Sequence, residues 1–288
     1  MKRIFLAVLI LLVSVPFLQA QLLWKISGNG IRKNSYLFGS QYLMPMASVD
    51  SLQSLKKSFS ECEVVVSEVV ANNVDANSLL RKTAFIQGDK SLRDFIPSDK
   101  QPVVDSILKS ELKIGLKELS KMQPEFVLKM YKIELFRNIT GIIDDVQTDA
   151  YFQIAANQKG IKVTGLESIR ELLNAETDRR ELQKQSDMLT KAIMNKDSLV
   201  KELTQLSYLY KKQKINDLAL FLRSEDSKTG NSEALTKLNL QNEAWIEKLS
   251  SMMKQNSCFI VVGVEHLAGE TGLPEGLKRK GFKVKAVQ

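Results

Sequence analysis

The chain predicts an α/β fold: a mainly parallel central sheet with an N-terminal β-hairpin, flanking helices and a helical insertion. Three observations predict it. Two short strand-like segments flank Gly28-Asn29-Gly30 near the start, the signature of a hairpin. Two β-branched runs, Cys62–Val70 (CEVVVSEVV) and Cys258–Gly263 (CFIVVG), are apolar enough to be covered on both faces, as parallel strands are. Helical patterns lie between such runs, and parallel strands need crossovers of that kind.

Taken in order, residues 1–20 form an address. Lys2 and Arg3 precede the apolar run Ile4–Leu18, broken by Ser14 and Pro16, and Ala20 is a small residue suited to cleavage. This is the pattern of a secretory signal peptide. The run falls short of the ~20 residues of a spanning helix, and no cysteine follows it as in a lipoprotein. The expectation is an exported protein of the periplasm or cell envelope, with no stable membrane span after cleavage. Residues 21–288 then form one α/β domain, mostly helical from about 171 to 255.

Leu22–Ser27 and Ser35–Gly39 read as the hairpin strands. Val49, Leu52, Leu55 and Phe59 have helical spacing, with Ser48 or Asp50 as the cap. Cys62–Val70 follows as a strand. Pro97, Pro102 and Pro124 divide the middle into helices. Asp149–Lys159 reads as a helix stopped by Gly160, then Ile161–Leu166 (IKVTGL) as a strand. From Glu171 to Lys214 one face carries Leu182, Leu189, Ile193, Val200, Leu203, Leu206 and Tyr210, a helical hairpin packed on the core. Glu233–Gln255 is amphipathic through Leu235, Leu238, Trp245, Leu249 and Met252. Cys258–Gly263 is a buried strand, Pro274–Lys280 a short helix closed by Gly281, and Lys283–Val287 the last strand.

Composition narrows the function. The 288 residues carry 41 Lys+Arg against 33 Asp+Glu, a formal charge of +8, with 44% hydrophobic residues. That is ordinary globular composition. Basic residues lie among acidic ones, as at Arg179, Arg180, Glu181 and Lys184, so nucleic acid is excluded as a partner. The single histidine, His266, excludes every site that needs two imidazoles from one chain. Cys62 and Cys258 each begin an apolar run. They could pair if their strands are neighbours, or stay as two buried thiols. A cysteine nucleophile with His266 is disfavoured, because the start and end of such strands lie roughly 15–20 Å apart. No Gly-x-Ser-x-Gly elbow occurs.

The chemistry-bearing residues follow strands. Tyr42 lies just past SYLFG, Glu68 near the end of CEVVVSEVV, Glu167 directly after IKVTGL, and Glu265 and His266 directly after CFIVVG. Ligands of open parallel sheets bind outside the carboxyl ends of the strands. If these strands are neighbours, Tyr42, Glu68, Glu167 and His266 meet in one crevice. Glu265, one residue before His266, is expected to point away from it.

Leu23–Leu43, Cys62–Val69, Asp149–Glu167 and Gln241–Val287 together resemble the TraB/GumN family, which is similar in turn to the Tiki proteases and, more distantly, to the ChaN and erythromycin-esterase folds. Gly263-Val264-Glu265-His266-Leu267 matches its Gly-x-x-His-Leu motif, Glu68 its strand-end glutamate, and Gly165-Leu166-Glu167 its Gly-Leu-Glu. The resemblance implies a metal-dependent hydrolase or peptidase with two Gly-x-x-His motifs facing each other. Two departures stand out. The first motif reads Gly39-Ser40-Gln41-Tyr42-Leu43, a tyrosine in place of the imidazole, and the Arg-Asn pair before the helix tryptophan reads Gln241-Asn242. A phenol with a pKa near 10 is a poor ligand and no ready base at neutral pH, and glutamine cannot make arginine's charge-assisted fork.

The expected catalytic set is therefore Glu68, Glu167 and His266, with His266 and Glu68 holding a divalent metal and its water, and Glu167 orienting that water or moving its proton. Mn²⁺, Co²⁺ or Zn²⁺ is the cofactor this implies, with oxygen-preferring Mn²⁺ suited to one imidazole and two carboxylates. Tyr42, Gln241 and Asn242 are the expected substrate-binding residues, Tyr42 as a donor to a bound oxyanion or else as core packing. The substrate would be a peptide or a cell-envelope component. The alternative is a catalytically weakened member that binds such a ligand or serves as a scaffold, which the changes at Tyr42 and Gln241 favour.

Overall fold

A computed structural model describes residues 21–49, 51–70, 83–142, 146–168, 182–228 and 234–287. Six strands form one sheet in the order β4-β3-β5-β2-β1-β6. They are β1 (Leu23–Ser27), β2 (Ser35–Ser40), β3 (Val64–Ser67), β4 (Lys162–Gly165), β5 (Cys258–Gly263) and β6 (Lys283–Ala286). β1 runs antiparallel to both β2 and β6, whereas β2–β5, β5–β3 and β3–β4 are parallel pairs. The expected hairpin and mainly parallel sheet are both present. Gly28, Asn29 and Gly30 all take positive φ in the hairpin turn, a region glycine enters without steric cost and asparagine more readily than most residues.

Among the described residues the helices are α1 (Gln53–Ser60), α2 (Gln101–Leu112), α3 (Pro124–Thr140), α4 (Thr148–Gln158), α5 (Leu182–Met194), α6 (Lys196–Lys211), α7 (Ile215–Lys228), α8 (Ala234–Gln255) and α9 (Leu273–Arg279). Pro124 opens α3 and Pro102 stands in the first turn of α2, where a missing N–H costs nothing. One face of the sheet is sealed by aromatic rings. Phe38 of β2 and Phe259 of β5 meet Phe152 of α4 with centroids 5.5 and 4.7 Å apart, and Phe59 of α1 joins both Phe152 and Phe259.

The structure corrects several expected boundaries. α1 begins at Gln53 after Leu52, without a side-chain cap, because Met46–Val49 forms a separate 3₁₀ turn; Asp50, the other expected cap, lies outside the described residues. β3 covers only Val64–Ser67 of the nine-residue run, since burial made the whole run read as strand while pairing extends over four residues. The apolar face of α8 rests on Trp245, Leu249 and Met253, and Leu235 is 43% exposed. The 171–181 part of the long helical stretch lies outside the described residues. Cys62 and Cys258 are free buried thiols. The opening turns of β3 and β5 do lie side by side, with Val64 opposite Cys258, but that register sets Cys62 two residues away from its would-be partner.

The helical insertion is tied to the sheet at one informative point. Tyr210 of α6, fully buried, donates its hydroxyl to the Gly39 carbonyl at 2.9 Å. Gly39, within β2, also packs closely against the turn after β5: a Cβ there would lie 3.0 Å from the Leu267 side chain and 3.3 Å from the Val264 backbone.

Candidate functional site

The parallel strands β4, β3, β5 and β2 lie side by side and release the chain at one edge of the sheet. Ser67 pairs with Gly165 and with Val261, and Ser40 pairs with Gly263. Glu68, Glu167, Glu265, His266 and Tyr42 all follow within three residues of those strand ends, so all five lie along the carboxyl edge of the sheet.

His266 is held from behind. Its Nδ1 lies 2.7 Å from Asn242 Oδ1, and Asn242 Nδ2 donates to the Thr271 carbonyl at 3.0 Å. That second bond orients the amide so that its oxygen faces the ring. An amide oxygen only accepts, so this network assigns the proton to Nδ1 and leaves a lone pair on Nε2. Trp245 stacks on the imidazole at 4.3 Å between centroids and 32° between planes. Burial, with only 4% of the residue exposed, pushes the imidazole down to about 3. The ring is therefore neutral near pH 7. Nε2 faces Glu68 Oε1 across 3.8 Å, a gap beyond a direct hydrogen bond.

Glu68 accepts the Gly263 N–H on Oε1 at 2.5 Å. Burial, then the charge of Glu265, raises its carboxyl to about 7; the Gly263 amide opposes the rise, and Glu167 and Asp149 add to it. The side chain is ringed by protein yet keeps 37% of its surface open. Water therefore reaches the carboxyl and moderates the rise.

Glu167 is anchored by α8. Its Oε1 accepts the Trp245 indole N–H at 3.0 Å and the Gln241 amide at 3.2 Å. Lys248, one turn on, donates to the Leu166 carbonyl at 2.7 Å. Gln241, Asn242, Trp245 and Lys248 thus form one stripe of α8 against the strand ends, with the spacing of a single helix face. Asn242, expected to bind substrate, is 1% exposed and spends both ends of its amide on His266 and Thr271; it positions the imidazole. Gln241, also expected to bind substrate, touches Glu167.

A model of the TraB/PrgY/gumN family matches residues 22–286. The chain belongs to the TraB/PrgY/gumN family. Neither the curated proteins nor the solved structures offer a match.

Against the family's motif, Tyr42 is the site's outlier in geometry as well as in sequence. It makes no hydrogen bond to Glu68, Glu167 or His266. Its half-buried ring lies under the Lys129 ammonium, 4.8 Å from Nζ. Burial, followed by Glu125 and Glu265, pushes its hydroxyl up to about 12, so it stays protonated near pH 7. Among the described residues no group of three or more His, Cys, Asp or Glu side chains is arranged to hold a metal ion. His266 Nε2 and Glu68 Oε1 face each other as a pair of donors, whereas a catalytic zinc site draws three from the protein. Among the described residues the ligand set that the family motif implies is therefore not complete.

Glu265 does not point away from the crevice, contrary to the expectation. Its carboxylate folds back over Gly263, where an added Cβ would stand 2.5 Å from Oε1, and its charge is felt at both Glu68 and Tyr42. The reason is local: Val264–Leu267 is a 3₁₀ turn, in which side chains advance by a third of a turn instead of alternating. Trp245, read only as an apolar core residue, is the second group sequence reasoning missed; its position four residues after Gln241, on the same helix face, was the available signal. Two cavities, of about 360 and 440 Å³, lie elsewhere, one beside Trp24 and Arg279 and one between β4 and α8.

Proposed function

We propose that this chain is a binding member of its family, exported to the cell envelope, whose strand-end crevice holds a peptide-like ligand without cleaving it. The observation that carries this is the donor set. A protonated phenol stands at Tyr42, His266 and Glu68 face each other across 3.8 Å, and among the described residues no group of three such side chains is arranged to hold a metal ion. A metal-bound water needs a fuller set of ligands. What remains is a buried, oriented imidazole beside carboxylates at a water-accessible rim, a constellation suited to recognition by hydrogen bonding.

A second reading, metal-dependent hydrolysis of a peptide or amide, draws on one specific observation: His266 is neutral and turns its lone pair on Glu68. In that reading His266 and Glu68 would bind Mn²⁺, Co²⁺ or Zn²⁺. Melting temperature separates the two. The protein should not respond to any of these ions, while Tyr42→His should gain a metal-dependent rise that disappears when His266→Ala is added. A rise in the unaltered protein, abolished by His266→Ala alone, would transfer the conclusion to hydrolysis. Export is tested by fractionation, with the mature chain expected to begin at Gln21.

A further inference from the structure

We infer that the outer edge of β4 takes an extended acidic peptide as a further strand, with alternate carboxylate side chains lying in the groove between β4 and α8. β4 ends the sheet on one side and, among the described residues, pairs with β3 alone. The Leu166 N–H returns to the Ser67 carbonyl at 2.8 Å. Alternate residues of a parallel strand turn their N–H and C=O groups to opposite sides. Lys162 and Thr164 therefore face β3, and Val163 and Gly165 present their backbone groups to the outer side. Lys162 is exposed and the other three residues of β4 are half-buried, whereas β3 beside it is buried throughout. Such an edge is a template for another chain, and strand addition is a recurring mode of peptide recognition.

The groove beside that edge is the second observation. Its volume is about 440 Å³. Register aligns Lys162 with Val64 and Cys258 across β4, β3 and β5, so the buried Val64 and Cys258 form an apolar floor and Lys162 stands at the outer side. The facing wall is α8, through Lys248, Ser251 and Gln255, whose spacing places them on one helix face. Lys248 is fixed by its 2.7 Å bond to the Leu166 carbonyl and keeps two of its three ammonium donors for a guest. Of the described residues that line the groove, two are lysine and none is acidic, so its charge complements a carboxylate. The same charge argues against a second copy of this chain as the occupant, since pairing β4 with β4 would bring the lysines of both copies together. Glu68, Glu265 and His266 do not line the groove, and the inference stands independently of the strand-end reading.

Isothermal titration of the purified protein tests the inference with an end-blocked heptapeptide that alternates glutamate with valine. Its twins carry lysine for glutamate, or N-methyl groups on alternate amides in either phase. The acidic peptide should bind at least tenfold more tightly than the lysine twin and than at least one N-methylated twin. Lys162→Glu should lose tenfold or more while keeping a cooperative melt. Val163→Pro removes an outward N–H and leaves the ladder to β3 in place, and should lose as much; if that variant fails to fold, Lys162→Glu decides. Equal binding of the acidic and lysine peptides would overturn the charge assignment, and equal binding of both N-methylated twins would overturn strand addition. Loss of binding in Glu68→Gln, with none in Lys162→Glu, would place the peptide at the strand ends and overturn the inference while supporting the binding reading. A dimer seen by sedimentation, and dissolved by Val163→Pro, would give the edge to a second copy. No binding by the acidic peptide refutes the inference.

Discussion

Glu68→Gln should make the protein more stable above pH 7. The carboxyl is raised from the usual 4.5 to about 7, first by burial and then by Glu265. A carboxyl raised in the folded state contributes stability that is fully present below its unfolded pKa and is lost as pH rises through the folded value. The window for Glu68 therefore runs from about 4.5 to about 7, and at pH 8 the folded chain bears the whole cost of an ionised group in a confined site. At ~1.4 kcal/mol per pKa unit the unscreened cost is about 3 kcal/mol. Because 37% of the side chain is open to water, screening reduces this, and about 1 kcal/mol is the expected gain. The amide oxygen of glutamine still accepts the Gly263 N–H, so no hydrogen bond is lost. For a chain of this size the gain corresponds to about 2 °C in Tm at pH 8, shrinking toward zero at pH 4. The groups that share the crevice, Glu265, Glu167, Asp149, His266 and Tyr42, are the same in both proteins. Thermal melts of the two proteins from pH 4 to 8 measure the difference. A variant that is less stable at pH 8, or a difference that ignores pH, refutes the account of Glu68.

Other expectations follow from the same contacts. His266, pushed down to about 3 by burial, contributes stability present above about 6.5 and lost as pH falls toward 3; His266→Gln should flatten that acid limb in pH-dependent melts. Tyr210→Phe leaves the buried Gly39 carbonyl without its 2.9 Å partner, and denaturant unfolding should show a loss of about 1–3 kcal/mol. Gly39→Ala forces a methyl to 3.0 Å from Leu267 and 3.3 Å from Val264, so overpacking should cost about 1–3 kcal/mol by the same assay.

The sequence made the sheet edge legible because each strand announced itself by β-branched residues and each key side chain followed a strand end. Glu68, Glu167 and His266 stand where that argument put them. The sequence did not make legible what happens within a turn. Glu265 looked outward under strand alternation, but the chain had already entered a 3₁₀ turn at Val264. Trp245 looked like core because indole is mostly apolar; its one N–H found Glu167 only after α8 and β4 came together. Likewise the run Cys62–Val70 recorded burial, which hydropathy encodes, and not the four-residue pairing, which depends on the neighbouring strands.

The residues of the crevice differ in how freely they can change. His266 cannot be removed without orphaning the Asn242 amide oxygen in a site where the asparagine is 1% exposed, a cost of about 1–3 kcal/mol. Glu167 is bonded to two side chains of α8. Packing alone therefore accounts for both, and neither argues for chemistry by itself. Tyr42 has no such ties to its neighbours in the crevice, so the imidazole of the first motif could give way to a phenol at little structural cost. Glu68 is the opposite case. Its carboxylate is held among like charges and costs stability that an amide would not. Packing does not account for Glu68, which is why the comparison of Glu68 with glutamine across pH tests the site more sharply than the loss of His266.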